Sequence, residues 1–249
     1  MKLIIYILTI FTSTLVFAQD ASLFEQANSL YNDGEYAAAI DKYESILDHE
    51  KHSAELYFNL ANSHYKLNNI APSIYYYEKA LQLAPNDKDI KNNIVFARNM
   101  TIDAIDTTPE VGFSKLLKNM SNWLDFDQWA MASVLLVMLF VLLFIMYYFS
   151  QSTGHKRWTF ITSLASLLLA CVALAFTFHN YNMVQKDHPA IVFAPESRVK
   201  SEPNLRSEES FRLHEGTKVQ IIDSVNNWNE IQLSDGQTGW ISNADIKAL

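Results

Sequence analysis

Two stretches of this chain leave little freedom in how it can fold. WAMASVLLVMLFVLLFIMYYF (129–149) and WTFITSLASLLLACVALAFTF (158–178) each run for 21 residues without an Asp, Glu, Lys or Arg. At about 1.5 Å per helical residue, each can cross the roughly 30 Å hydrocarbon core of a bilayer. A helix packed in a soluble domain normally carries a polar face, and neither run has one. Trp129, Tyr147, Tyr148 and Trp158 stand at the ends, where amphipathic rings settle at the interface. The eight-residue link SQSTGHKR (150–157) holds Lys156 and Arg157 and is expected as a cytoplasmic loop. Thr162, Ser166 and Ala170 recur every fourth residue and are expected to face the first span closely.

The N-terminus, MKLIIYILTIFTSTLVFAQD, has one lysine, an apolar run and small residues before Gln19. It reads as a secretory signal over residues 1–18, with an uncleaved anchor helix as the alternative. The signal and the loop charges agree on one topology: two spans in the inner (cytoplasmic) membrane, with both soluble segments on the periplasmic side.

Between signal and membrane the sequence repeats. EQANSLYNDGEYAAAIDKYESIL aligns with NLANSHYKLNNIAPSIYYYEKAL at an offset of 34. Ala27, Asn28, Ser29, Tyr31, Ile40, Tyr43 and Leu47 fall on Ala61, Asn62, Ser63, Tyr65, Ile74, Tyr77 and Leu81. Small residues at 27, 61, 39, 73 and 80 allow close helix pairing. Gly34 and Asn68 mark helix–helix turns that tolerate a left-handed backbone. Pro85 stops the fourth helix, and Asn86 or Asp87 can cap a fifth that buries Ile90, Ile94 and Ala97. The pattern resembles the tetratricopeptide repeat, with units at 20–53 and 54–87 and a capping helix at 87–105. The resemblance implies a peptide-binding face on the first helix of each pair, presenting Phe24, Asn28, Tyr31, Phe58, Asn59, Asn62, Tyr65 and Lys66. Asn28 and Asn59 match the asparagines of repeat domains that clamp acidic tails. Phe24, Asp89 and Asn93 stand where the clamp's basic residues should be, which argues against an acidic ligand. Replacing Asn28, Asn59 and Asn62 together is expected to abolish partner capture without unfolding the repeats; a solvated, unused face is the alternative. Of the three consecutive tyrosines, Tyr77 is expected in the repeat core. Tyr75 and Tyr76 are expected against neighbouring helices or solvent.

In the linker, 106–128, Phe113, Leu116, Leu117, Met120 and Leu124 form an amphipathic stripe. That stripe can lie on a membrane surface or pack on the repeats. Residues 190–249 change character: KVQIID, WNEIQL and GWIS are short β-rich runs, with Val219, Ile221, Ile231, Leu233 and Trp240 as core candidates. Glu215-Gly216 marks a turn, and Asp235-Gly236 between two runs signals a hairpin. These elements resemble a bacterial SH3-type small barrel, which implies a protein or cell-wall ligand. Trp228 and Trp240 are its groove candidates, with at least one of them expected in the core.

The fold class expected is multi-domain α + β: a helical repeat stack, two transmembrane helices and a C-terminal SH3-like β-barrel. Residues 20–108 carry 14 Asp/Glu against 7 Lys/Arg, an unfavourable surface for nucleic acid. Cys171 is the sole cysteine and lies in an apolar run, so neither a disulfide nor a cysteine metal cluster can form within the chain. His49 and His52 lack a companion carboxylate motif, and His64 takes an aromatic packing position. No phosphate loop, nucleophile elbow or metal spacing is legible, so no catalytic residue, cofactor or metal is expected. The architecture as a whole resembles the E member of the Bat (Bacteroides aerotolerance) operon family. That resemblance implies work with von Willebrand factor A-type membrane proteins and a MoxR-type ATPase in envelope stress. The residues alone describe a two-armed exported adaptor on a membrane hairpin. The rivals are a peptidoglycan-binding sensor and an accessory of a wall hydrolase.

Overall fold

The computed structural model describes residues 22–105 and 112–249; the signal segment and the start of the linker lie outside them. The chain divides into two compact units. Among the described residues, one joins 22–105 to His188–Leu249, and the other runs over 112–187.

In the first unit, helices α1 (22–32), α2 (Tyr36–Asp48), α3 (Ala54–Lys66), α4 (Ile70–Leu83) and α5 (Lys88–Arg98) follow the repeat. Gly34 and Asn68 take φ of 83° and 62° at equivalent turns, as their 34-residue spacing predicts. Ser53 and Asp87 cap α3 and α5 by accepting backbone N–H bonds from Leu56 and from Asp89 and Ile90. Ala27, Ala39, Leu60, Ala61, Ile74 and Ala80 are buried at the helix crossings. The fifth helix is shorter than expected: it ends at Arg98, and residues 99–105 leave the stack. They do so because Asp103 is engaged by the β domain, where it accepts from the His214 N–H at 2.7 Å and the Thr217 hydroxyl at 2.6 Å.

That β domain is one antiparallel sheet in the order β3-β2-β6-β5-β4-β1-β7. Its strands are β1 (Pro189–Val192), β2 (Glu196–Lys200), β3 (Glu209–His214), β4 (Lys218–Val225), β5 (Trp228–Gln232), β6 (Thr238–Ser242) and β7 (Ile246–Ala248). The expected barrel is not closed by a ladder, because β3 and β7 end the sheet. Side-chain and turn bonds stand in its place. The Ser197 hydroxyl donates to Asp245 at 2.5 Å, and the Phe193 and Ala194 N–H groups donate to the Asp245 carbonyl at 2.8 and 3.2 Å. Val219, Ile231 and Leu233 enter the core as expected, with Val199, Leu213 and Ile241, while Ile221 packs at its margin. Trp240 does not. Side chains alternate along β6, so Gly239 and Ile241 face inward and Trp240 outward. A Cβ at Gly239 would come 2.5 Å from Val199 Cγ1, so no larger residue fits that inward position.

The two modules are not separate arms. β1 is buried on both faces: Ala190 and Val192 point into the sheet's core, and Ile191 enters the repeat core beside Ile74, Ala71 and Ala97. Tyr75 meets Phe193 edge-on at 5.6 Å, and the Lys247 ammonium lies 4.5 Å from the Tyr75 ring centre. Glu78, buried on α4, pairs with Arg98 at 2.6 Å and with Lys218 of β4 at 2.8 Å. Full burial of a side chain such as Ile191 contributes about 1.5–3 kcal/mol, so a few such contacts suffice to join the modules.

The second unit holds α6 (Phe113–Ser121), α7 (Phe126–Phe149) and α8 (Thr153–Lys186). A reciprocal cap starts α7: Asp125 accepts from the Gln128 N–H at 2.8 Å, and Gln128 accepts from the Asp125 N–H at 3.2 Å. The expected loop 150–157 shrinks to residues 150–152, because helix resumes at Thr153 and takes in Lys156 and Arg157. Both α7 and α8 are long and apolar enough to cross a membrane. Ser166, within the small-residue row, donates to the Leu136 carbonyl at 2.8 Å, and Ala170 is buried.

Candidate functional site

The repeat places α1, α3 and α5 side by side and stitches them with one motif used twice. Asn28 Oδ1 accepts from the Tyr43 hydroxyl at 2.6 Å and from Asn59 Nδ2 at 3.1 Å. One repeat on, Asn62 Oδ1 accepts from the Tyr77 hydroxyl at 2.5 Å and from Asn93 Nδ2 at 3.3 Å. Phe24 tilts against Tyr43 at 5.9 Å, and Phe58 against Tyr77 at 6.0 Å. Burial pushes the Tyr43 hydroxyl up to about 12, with Tyr31 adding to the rise, and it raises Tyr77 as well. Both phenols therefore stay protonated donors near neutral pH.

All eight residues named for the face come from α1 and α3. Lys66 is exposed, and Phe24, Asn28, Tyr31, Phe58, Asn59, Asn62 and Tyr65 are half-buried. The asparagines have a structural task besides any ligand, since their carbonyl oxygens satisfy two buried tyrosines. Removing Asn28 and Asn62 would orphan those hydroxyls, so the triple substitution is not neutral to folding. Asn93 completes the second rung. Its signal in the sequence is its 34-residue distance from Asn59. The polar and ring contacts between the modules fall on α4 and on Asp103, while the apolar ones join Ile191 to the cluster that holds Ala97 and join Ile105 to the sheet core.

On the sheet, Trp228 and Trp240 share the outer surface. Trp228 pairs with Ser242 and Glu230 with Trp240, so the two indoles are diagonal neighbours across β5 and β6. Both are half-buried, and neither joins the core. The inward position next to Trp228 is taken by Asn229, which accepts from Ser224 at 2.6 Å and donates to Asn243 at 3.0 Å.

All three consecutive tyrosines are packing residues. Tyr77 is in the repeat core, Tyr75 is covered by the β domain, and Tyr76 lies between Tyr57 and His64. His64 stacks on Tyr76 at 5.6 Å and 8°, the aromatic role its position implies. Its Nδ1 faces the Asn69 amide at 3.3 Å, while Nε2 is buried without a partner. Burial, reinforced by the Lys247 charge, lowers its pKa to about 4. Asp103 behaves differently. Burial pushes its carboxyl up, but bonds from Thr217 and from the backbone and ring of His214 outweigh this and hold it below the ordinary value. Among the described residues, no group of three His, Cys, Asp or Glu is placed to hold a metal ion.

Comparison with known families agrees with this geometry. Residues 24–88 match the tetratricopeptide repeat, and residues 196–247 match the bacterial SH3 domain. The chain therefore combines a helical repeat module with a bacterial SH3-type module. No curated protein matches it. Strand β1, which joins the two modules, lies outside both matched segments.

Proposed function

We propose that this protein is an exported adaptor anchored by a membrane hairpin. In this reading the α1–α3–α5 face captures a segment of a partner protein, and the outer face of the β domain takes a protein or cell-wall ligand. The observation that carries it is the repeated row of asparagines and aromatics, which remains uncovered by the β domain docked on α4. Tetratricopeptide repeats are protein-interaction modules and bacterial SH3 domains are binding modules, so the combination supports scaffolding. The bound segment would be extended and largely uncharged. Lys66 is the one cation among the eight residues, while Phe58, Tyr31 and Tyr65 offer apolar surface. The two apolar helices support membrane anchoring, and the cytoplasmic placing of Lys156 and Arg157 would put both modules on the periplasmic side. The resemblance to the E member of the Bat family extends this to an envelope-stress complex with von Willebrand factor A-type membrane proteins and a MoxR-type ATPase.

A second reading has its own observation. Paired outer-face indoles at Trp228 and Trp240 suit a peptidoglycan stem or sugar, as in a wall sensor or hydrolase accessory. Photocrosslinkers at Lys66 and at Gln232 in native membranes separate the two. A membrane protein recovered through Lys66 supports the adaptor. Peptidoglycan recovered through Gln232, with no protein on Lys66, moves the function to wall binding.

A further inference from the structure

The second unit carries a feature that neither module explains. Helix α6 leaves Leu116 and Leu117 exposed at 54% and 37%, and Trp123, just beyond it, at 75%. Lys115 and Asn119 are also exposed, so the short helix has charged or polar and apolar groups open at once. Its C-terminal end is fastened to the hairpin. The Ser121 hydroxyl donates to Asn180 Oδ1. Asn180 Nδ2 donates back to the carbonyls of Ser121 at 3.1 Å and Leu124 at 3.4 Å, and Trp129 Nε1 donates to the Ser121 carbonyl at 2.9 Å. One residue of α6 is thus tied to both α7 and α8.

The height of that knot along α8 decides what α6 meets. Trp158 and Asn180 are separated by 22 residues of continuous helix. That is about 33 Å at 1.5 Å per residue, close to the thickness of the hydrocarbon layer. With Trp158 at one interface, Asn180 lies at the other. Phe126, Trp129 and Tyr181 gather at the same level, Phe126 against Tyr181 at 6.1 Å and Trp129 against Phe176 at 4.9 Å. The C-terminal end of α6 is therefore held at the level of this interface, with Leu116, Leu117 and Trp123 exposed beside it in sequence.

We propose that α6 lies in the headgroup layer of the bilayer, with Leu116, Leu117 and Trp123 in lipid. The hairpin then ends in a surface paddle held by Asn180. This rests on the reading that α7 and α8 span the membrane. An amphipathic segment of this kind buries its apolar face about 5–10 Å deep, at the headgroup–acyl boundary. Lys115 suits anionic headgroups.

The test uses the full chain in nanodiscs of phosphatidylethanolamine and phosphatidylglycerol, in a Cys171→Ser background. Single nitroxide labels are placed through Leu116→Cys, Leu117→Cys, Asn119→Cys and Val141→Cys, and collisions with oxygen and with a water-soluble nickel chelate are compared. Oxygen collisions should exceed chelate collisions by about threefold or more at Leu116 and Leu117, and the ratio should invert at Asn119. The Val141 label should see oxygen alone. Aqueous values at Leu116 and Leu117 with a lipid value at Val141 would overturn the paddle and leave the spans standing. An aqueous Val141 would overturn both. Exclusion of both reagents from Leu116 and Leu117 would mean a protein covers this face, and would overturn the lipid assignment. Asn180→Ala should erase the contrast between Leu116 and Asn119 while Val141 stays unchanged; a contrast that survives would overturn the role given to Asn180.

Discussion

Gly216 reports directly on whether the repeat and β modules form one unit. It occupies the turn between β3 and β4 at φ 86°. A Cβ there would lie 2.8 Å from Ile70 Cγ2, 2.8 Å from Thr101 Cγ2 and 2.9 Å from Ile74 Cδ1, all groups of the helical module. Gly216→Ala therefore carries two costs. A left-handed backbone costs a residue with a Cβ about 1–2 kcal/mol. Forcing a methyl into a packed contact costs about 1–3 kcal/mol more. Gly236, in the turn between β5 and β6, is the control: its φ is 93°, and nothing lies within 4 Å of its Cβ position. Gly236→Ala carries the backbone cost alone. The difference between the two variants isolates the contact between modules, and about 1–3 kcal/mol corresponds to about 5- to 150-fold in an opening equilibrium. Hydrogen exchange of the full chain in nanodiscs reads it at the amides of α4 and β1. Gly216→Ala should lower protection there by that factor beyond Gly236→Ala. Equal losses in α4 and β1 for the two variants would refute the docking of β1 and its neighbouring turn on the repeats.

The His64 imidazole has a folded pKa of about 4 against an ordinary 6.5, so its neutral form contributes stability in full above 6.5, which is lost as pH falls toward 4. His64→Phe should flatten the thermal stability of the first unit across that window, and an unchanged slope would assign the effect to another group. Asn62→Ala should cost about 1–3 kcal/mol in denaturant unfolding by orphaning the Tyr77 hydroxyl, and adding Tyr77→Phe should recover part of it. Lys66→Glu with Tyr65→Ser should weaken partner capture at least about tenfold while the helical circular dichroism is unchanged. Trp240→Ala should change stability little yet abolish retention on the β domain's ligand; a large drop in the unfolding temperature would put Trp240 back in the core.

Most of the helical module was legible because its signals are local. Gly34 and Asn68, at equivalent turns, both take the left-handed backbone, and Asp87 caps α5 as its position implies. The asparagines were legible as a row but not as a ladder. Their partners Tyr43 and Tyr77 lie 15 residues away, across a turn that brings the paired helices back together. On the sheet, period-2 alternation is the reliable signal, and hydrophobicity misleads. Trp240 looks like core, yet the inward register belongs to Gly239 and Ile241, because Val199 already fills the space.

Sequence by itself determined the elements: the 34-residue repeat, two charge-free runs and the β-rich tail each announce themselves within a few dozen residues. Their physics is local, set by turn conformations, caps and periodicity. Only the tertiary structure decided that the tail returns to the repeats. Glu78 meets Lys218 across 140 positions, and Asp103 meets His214 and Thr217 across 111 and 114. Nothing in a window around either partner encodes such a pair. It forms because β1 has two apolar faces and only one fits inside its own sheet, so Ile191 must find a second core, and the side of the repeats that carries Ile74 and Tyr75 supplies it.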